Sequence, residues 1–186
     1  ECVITAAART PVGSFGGGMA SLQATTLGTQ LVRALLARAA IDPGTIDETI
    51  LGQVLTAGCG QNPARQTAIH SGIPQGVPAM TINKVCGSGM KAIMLGHDLI
   101  KAGSASIVVA GGMESMTNAP YLLPKARGGY RYGHSMMYDH MAQDGLEDAY
   151  ERGTAMGVFA EETAQEYQFT RQAQDDYAIA SLERAQ

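Results

Sequence analysis

The chain is poor in the residues that mark disulfide-stapled, membrane-spanning or nucleic-acid-binding proteins. It has no tryptophan, three cysteines and 5% aromatic residues among 186 positions. Cys2, Cys59 and Cys86 are far apart, which argues against a disulfide framework and against zinc-ligand spacing, so we expect a reducing, cytoplasmic location. No apolar run reaches the roughly 18 residues of a spanning helix. No basic segment precedes an apolar one at the N-terminus, so we expect neither membrane insertion nor a secretory signal.

The charge balance argues against a nucleic-acid partner. Thirteen basic and 17 acidic residues give a net charge of −4, whereas phosphate binding depends on basic surface. The charge is also uneven: residues 1–142 carry a net +3 and residues 143–186 a net −7. We interpret the acidic end as a pair of solvated helices.

Strand-like and helix-like patterns alternate along the first part of the chain. The predicted strands are 2–8, 49–55, 80–85 and 106–110, and the predicted helices are 26–40, 64–71 and 89–102. Such alternation is typical of an α/β layer structure with a largely parallel sheet. At this length one domain can bury a substantial core.

The pattern changes after Gly112. Residues 113–155 have little periodicity, and two helices then follow, the second with Thr170 as a predicted N-cap. We therefore place a boundary near Met116–Ala119, which separates residues 1–117 from residues 118–186. Glu1 opens directly into a strand-like run and Gln186 stops within a helical pattern, so we expect a piece of a longer protein.

Cys86 is the strongest candidate for a reactive group. It stands between a β-rich run and a helix, and glycines on both sides of Ser88 permit a tight turn. Unpaired N–H groups and the positive end of the helix dipole favour a thiolate there, as in the strand–nucleophile–helix elbow of hydrolases. The alternative is a small buried cysteine at a strand end.

The other chemically capable residues have weaker contexts. We interpret Cys59 as a loop thiol and Cys2 as core filler, and the glycine loop at 13–18 fits neither phosphate-binding template. His97 follows an apolar helix stripe and is predicted to be a core or interface residue. His134 and His140 flank a Met-rich loop that could contact a ligand. No histidine has a metal-ligand context.

Several long motifs, in order, resemble the thiolase family over essentially the whole chain. They are residues 83–92 (NKVCGSGMKA), 6–17 (AAARTPVGSFGG), 60–66 (GQNPARQ), 110–120 (AGGMESMTNAP), 133–137 (GHSMM) and 144–146 (DGL). The resemblance is greatest to the biosynthetic, acetoacetyl-CoA-forming branch. It implies a thiolase-like layered αβαβα fold, of which this chain supplies most of the first half and part of the loop subdomain.

This resemblance implies a Claisen enzyme. Cys86 would take an acetyl group from one acetyl-CoA, and a second acetyl-CoA would condense with it to acetoacetyl-CoA and CoA, or the reverse. Leu146 and Met156 match the family's positions in the CoA channel, whereas Ala155 replaces a frequent family histidine. CoA thioesters would be substrates, with no permanently bound cofactor.

The family's second half carries the activating histidine, a second cysteine and an asparagine, and no such motif occurs here. We therefore expect residues 1–186 alone to lack condensing activity. Under the resemblance, residues 1–117 form the core with the nucleophile, and residues 118–186 form part of a loop subdomain used for oligomerisation and CoA binding. A homo-oligomer, a dimer or dimer of dimers, is expected.

Three other functions stay open at this point. A degradative 3-ketoacyl-CoA thiolase would have a similar first half, and an acyl-carrier-protein condensing enzyme would lack the quoted loop motifs. A catalytically silent assembly subunit would have no need for an intact cysteine elbow.

Overall fold

The structure is a computed structural model that describes all 186 residues. The chain divides into two compact units, Glu1–Gly145 and Leu146–Gln186. The first unit contains the sheet, and the second contains two helices. None of the helices combines the length and the apolarity that crossing a membrane requires.

The first unit contains a parallel three-stranded sheet with three helices, as the alternating pattern predicts. In chain order the elements are α1 (Ala24–Ala39), β1 (Glu48–Gly52), α2 (Pro63–His70), β2 (Ala79–Ile82), α3 (Ser88–Lys101), β3 (Val108–Gly112), β4 (Tyr121–Leu122) and β5 (Tyr138–Asp139). The sheet order is β2-β1-β3, and both pairings are parallel. β4 and β5 form a separate antiparallel pair.

The helices lie on both faces of the sheet. Val109 of β3 belongs to a buried cluster with Val32 and Leu36 of α1 and Ala68 of α2. Its neighbours Val108 and Ala110 lie instead against Gly96 of α3. Because successive strand side chains point to opposite faces, α1 and α2 cover one face and α3 the other.

The predicted opening strand, Cys2–Ala8, is wrong. Residues 1–13 form no strand, and Val3 and Ile4 are exposed. The one hydrogen bond to the segment is weak, with Arg38 Nη1 donating to the carbonyl of Ala7 over 3.4 Å. A β-rich composition needs a paired neighbour to form a strand, and the segment lies beside an open groove instead of pairing with a strand.

The two units divide later than the predicted boundary after residue 117. Residues 118–145 remain bound to the first unit, because the Asn118 amide donates to the carbonyls of Ala20 and Leu22, both at 3.0 Å. The backbone N–H of His140 also donates to the carbonyl of Pro120 at 3.2 Å. The division into core and loop subdomain stays a prediction.

The second unit contains α4 (Met156–Glu166) and α5 (Arg171–Ala185), and neither helix has a buried residue. This agrees with the prediction of two solvated helices for the acidic end. The Thr170 side chain accepts the N–H of Ala173 at 3.1 Å, so the predicted N-cap is confirmed. Arg171 pairs with Asp175 one turn later, which raises the pKa of the guanidinium.

An acidic side chain fixes the approach to β3. Asp47 Oδ2 accepts the backbone N–H groups of Ser106 at 2.6 Å and Ile107 at 3.0 Å. These two bonds lower the pKa of the Asp47 carboxyl below its ordinary 3.8. The next residue, Glu48, has a raised pKa because burial disfavours its charged form.

Candidate active site

The three parallel strands end at one edge of the sheet. Gly52, Ile82 and Gly112 are the last residues of β1, β2 and β3. The segments that follow therefore begin side by side, and one of them, residues 83–87, connects β2 to α3. Cys86 lies in this connection, at the carboxyl edge where ligands of parallel sheets bind.

The backbone before Cys86 is bent into a strained turn. Val85 has a φ of +46°, which is unfavourable for a β-branched residue because its Cβ crowds the backbone. Asn83 Oδ1 accepts the N–H of Val85 at 2.8 Å. Ser88 Oγ accepts the N–H of Lys84 at 2.8 Å and donates to the carbonyl of Val85 at 2.6 Å. These bonds hold the strained turn in place.

Two glycines allow the start of α3 to lie directly on the sheet. A Cβ at Gly52 would lie 2.5 Å from Ser88 Cβ and 2.6 Å from the Ser88 carbonyl carbon. A Cβ at Gly112 would lie 3.4 Å from Gly89 Cα and 3.2 Å from the Gly52 carbonyl oxygen. The Cys86 turn can therefore approach the sheet closely only because side chains are absent at these positions.

Cys86 itself is exposed and stands just before the first turn of α3. In this chain Cys86 is therefore not the small buried cysteine of the alternative interpretation, and its catalytic role stays a prediction. No side chain caps α3, and the Cys86 N–H is not a donor in any hydrogen bond of the chain. The Cys86 turn therefore presents an exposed thiol, a free N–H and the positive end of a helix dipole together.

The buried face of α3 consists of small residues, not the predicted apolar stripe. Ser88, Ala92 and Gly96 are buried. Met90, Ile93 and Met94 are exposed, and the His97 side chain is 55% exposed beside Asp98. The predicted core position of His97 is wrong because the close approach of α3 to β3 turns the small residues inwards. An interface position for His97 stays a prediction.

Cys59 lies in the loop after β1 (residues 53–60), as expected of a loop thiol. Its half-buried Sγ accepts from Gln53 Nε2 at 3.3 Å. Gln53 is almost fully buried, and its Oε1 has no partner. Cys2, predicted as core filler, is partly exposed in the unpaired N-terminal segment, so that prediction is wrong.

The predicted CoA-channel residues, Leu146 and Met156, both belong to the second unit and both are exposed. An isolated antiparallel bridge joins Glu147 to Ala155. Leu146 immediately precedes Glu147 and Met156 immediately follows Ala155, so the bridge brings together two chain segments whose predicted channel residues are ten positions apart.

The two histidines that flank the Met-rich loop, His134 and His140, differ in burial and in hydrogen bonding. His134 is exposed, whereas His140 is 5% exposed and uses both ring nitrogens. His140 Nδ1 lies 2.5 Å from Asp144 Oδ2, and Nε2 accepts the Ala57 N–H at 3.3 Å. The described chain has no group of three or more His, Cys, Asp or Glu residues placed to hold a metal.

Glu114, which sequence reasoning did not single out, holds the start of the loop after β1. Its two carboxylate oxygens accept the N–H of Val54 at 2.8 Å and of Leu55 at 3.1 Å. Some 60 positions separate these residues in the chain. A charged residue two positions after the end of β3 was the only available signal.

Comparison with known proteins gives consistent results. The family model described as "Thiolase, N-terminal domain" matches residues 2–186. An acetyl-CoA acetyltransferase of Pseudomonas aeruginosa is 54% identical over 185 of the 186 residues of this chain, an alignment that covers 47% of that protein. The enzyme of the same name from Schizosaccharomyces pombe is 50% identical over 186 residues. The chain spans about half the length of these relatives.

A solved structure extends the likeness to the fold. The Acat5 thiolase from Ascaris suum, determined in complex with coenzyme A, superimposes with a TM-score of 0.89 at 45% identity. The match covers 95% of this chain and 46% of that one.

Proposed function

The chain belongs to the thiolase family, of which it carries the N-terminal domain, and from that membership we propose that Cys86 carries the acetyl group in acetyl transfer between CoA thioesters. The observation that carries the proposal is the position of an exposed Cys86 on a strained turn at the start of α3. A structural cysteine needs neither the strain at Val85 nor the exposure.

The proposed first step is acyl transfer to sulfur. Cys86 Sγ, as the thiolate, attacks the carbonyl carbon of acetyl-CoA, and a new C–S bond forms. The C–S bond to CoA then breaks, and the CoA sulfur leaves with that electron pair as a thiolate, which takes up a proton from water. The positive end of the α3 dipole lies beside the reacting sulfur.

The free N–H of Cys86 supports the same step. The carbonyl oxygen becomes negatively charged in the tetrahedral intermediate and needs a donor that is already in place. The Cys86 N–H has no other acceptor in the chain, so it is available without breaking an existing bond. The donor and the attacking sulfur belong to the same residue, so both reach the same carbonyl group.

In the second step we propose that another acetyl-CoA loses a proton from its α-carbon. The carbanion attacks the acetyl group on Cys86, acetoacetyl-CoA forms, and the Cys86 sulfur leaves as thiolate. No residue of this chain is assigned to remove that proton. Because the relatives are about twice as long, we propose that residues 1–186 alone do not complete this step.

Leu146 and Met156 are proposed to contact the CoA arm. Both are exposed and each is next in the chain to one residue of the Glu147–Ala155 bridge, and apolar side chains suit the methylene segments of pantetheine. Crystallisation of the Ascaris suum relative with coenzyme A supports the substrate class.

No permanently bound cofactor is proposed. A cytoplasmic homo-oligomer is also proposed, and light scattering of the complete gene product tests the oligomer.

The test is the intact mass of the complete gene product after mixing with acetyl-CoA. We expect one acetyl adduct, which disappears in Cys86→Ala and persists in the matched control Cys59→Ser. Circular dichroism shows whether each variant is folded. An adduct that depends on Cys59, or no adduct in the unmodified protein, overturns the proposal.

A further inference from the structure

We propose that His140 is a positioning residue, which holds the loop after β1 against the Cys86 turn through its hydrogen bond to Ala57. The inference rests on the proposed function for its effect on acetyl transfer, but the contact itself stands on geometry alone. It assigns a role to the most buried histidine of the chain, one that the proposed chemistry leaves unused.

The two contacts of His140 fix its tautomer. The Ala57 N–H can only donate, so Nε2 must be the unprotonated, accepting nitrogen at 3.3 Å. A neutral ring then carries its proton on Nδ1, which donates to Asp144 Oδ2 at 2.5 Å. Asp144 thereby orients the ring, as a carboxylate orients a catalytic or metal-binding histidine.

His140 is one of three side chains that hold the loop after β1. Glu114 binds its start through the N–H groups of Val54 and Leu55. Gln66 Nε2 donates to the carbonyl of Cys59 near its end, at 2.8 Å. His140 holds the middle of the loop. Loss of this bond would leave Ala57 with an unpaired N–H and would remove the contact that His140 makes with the middle of the loop.

This loop borders the turn that carries Cys86. Gly52, at its base, lies against Ser88 and Gly89. Residues of the loop, among them Thr56 and Gly60, line a cleft of about 450 Å³ together with Asn83. Asn83 in turn accepts the N–H of Val85. A displaced loop would therefore change one wall of the cleft that Asn83 also lines.

Two substitutions separate the two contacts of the ring. In His140→Gln the amide oxygen can take the place of Nε2 and accept the Ala57 N–H. In His140→Asn the amide nitrogen can take the place of Nδ1 and donate to Asp144, but the Ala57 bond is lost. A simple structural role of the buried ring predicts no such difference between Gln and Asn.

Cys59 supplies a readout that is independent of catalysis. It lies two positions after Ala57 and is half-buried. Iodoacetamide labelling of Cys59 in the complete gene product, followed by peptide mass spectrometry, therefore reports loop opening. We expect labelling about fivefold faster in His140→Asn, the equivalent of one lost hydrogen bond, and an unchanged rate in His140→Gln. Equal Cys59 rates in both variants overturn the proposal.

The second readout is acetylation of Cys86 as a function of acetyl-CoA concentration. We expect the half-saturating concentration to rise about fivefold in His140→Asn and the maximal rate to change by less than about twofold. An unchanged half-saturating concentration overturns the positioning role. If the unmodified protein forms no acetyl adduct, the proposed function fails with that role, whereas Cys59 labelling still decides whether His140 holds the loop.

Discussion

Replacement of Gly52 by alanine tests whether the Cys86 turn depends on close contact with the sheet. The new Cβ would lie 2.5 Å from Ser88 Cβ, 2.6 Å from the Ser88 carbonyl carbon and 2.8 Å from the Gly89 nitrogen. Favourable contacts between such atoms lie at about 3.5–4.0 Å. The overlap is therefore about 1 Å with three atoms at once, and two of them belong to the backbone.

Backbone atoms cannot rotate away from such an overlap, so the start of α3 must shift. Overpacking of this kind costs about 1–3 kcal/mol of the free energy of unfolding. A shift of about 1 Å in a reacting group can also cost about 100-fold in rate. We therefore expect Gly52→Ala to be destabilised and to acetylate Cys86 at least tenfold more slowly.

Gly111→Ala is the matched control. It is the same chemical change in the neighbouring strand, but its Cβ would meet only Leu51 Cδ2, at an ordinary 4.0 Å. We expect its stability to stay within about 0.5 kcal/mol of the parent. The assays are the urea midpoint and the acetylation rate from intact mass. Equal stability and equal rates in the two variants would refute the close-contact explanation.

Three further predictions follow from single contacts. Val85→Gly relieves a backbone strain of about 1–2 kcal/mol, but the greater freedom of glycine in the unfolded chain costs about 0.5–1 kcal/mol. We therefore expect a free energy of unfolding within about 1 kcal/mol of the parent but slower acetylation of Cys86. Marked destabilisation would contradict the inferred strain at Val85. Asp47→Asn lowers the stability of the protein near neutral pH. The pKa of the Asp47 carboxyl is lower in the folded protein than its ordinary 3.8, so the ionised carboxyl stabilises the fold at pH values above 3.8. This stabilisation is lost as the pH falls through the pKa of the folded protein, and the urea midpoints of parent and variant should then converge. A difference in midpoint that persists in acid would contradict the prediction. Met156→Ala weakens acetyl-CoA binding by about tenfold with little change in maximal acetylation rate, and an unchanged half-saturating concentration would argue against the CoA contact.

The regular elements could be predicted because their signals are local. Apolar spacing predicts a helix over residues 89–102, and α3 covers Ser88–Lys101. A run of apolar residues predicts a strand over 106–110, and β3 covers Val108–Gly112. Spacing alone could not show that α3 buries Ala92 and Gly96 instead of its larger residues, because that depends on how closely the sheet approaches.

The parts that could not be predicted depend on distant partners. The segment 2–8 has strand-like residues, but nothing pairs with it. The contact of His140 with Ala57 joins residues 83 positions apart, and the positive φ of Val85 arises from three hydrogen bonds around the turn. Cys86 itself was found because its signal, a cysteine among glycines between strand and helix, is local.

The most direct test of the central claim is a crystal structure of the complete gene product after brief exposure to acetyl-CoA. The account predicts electron density for an acetyl group bonded to Cys86 Sγ, with its carbonyl oxygen accepting the Cys86 N–H. An acetyl group on any other residue, or an unmodified Cys86 beside bound acetyl-CoA with its carbonyl turned away from that N–H, would contradict it.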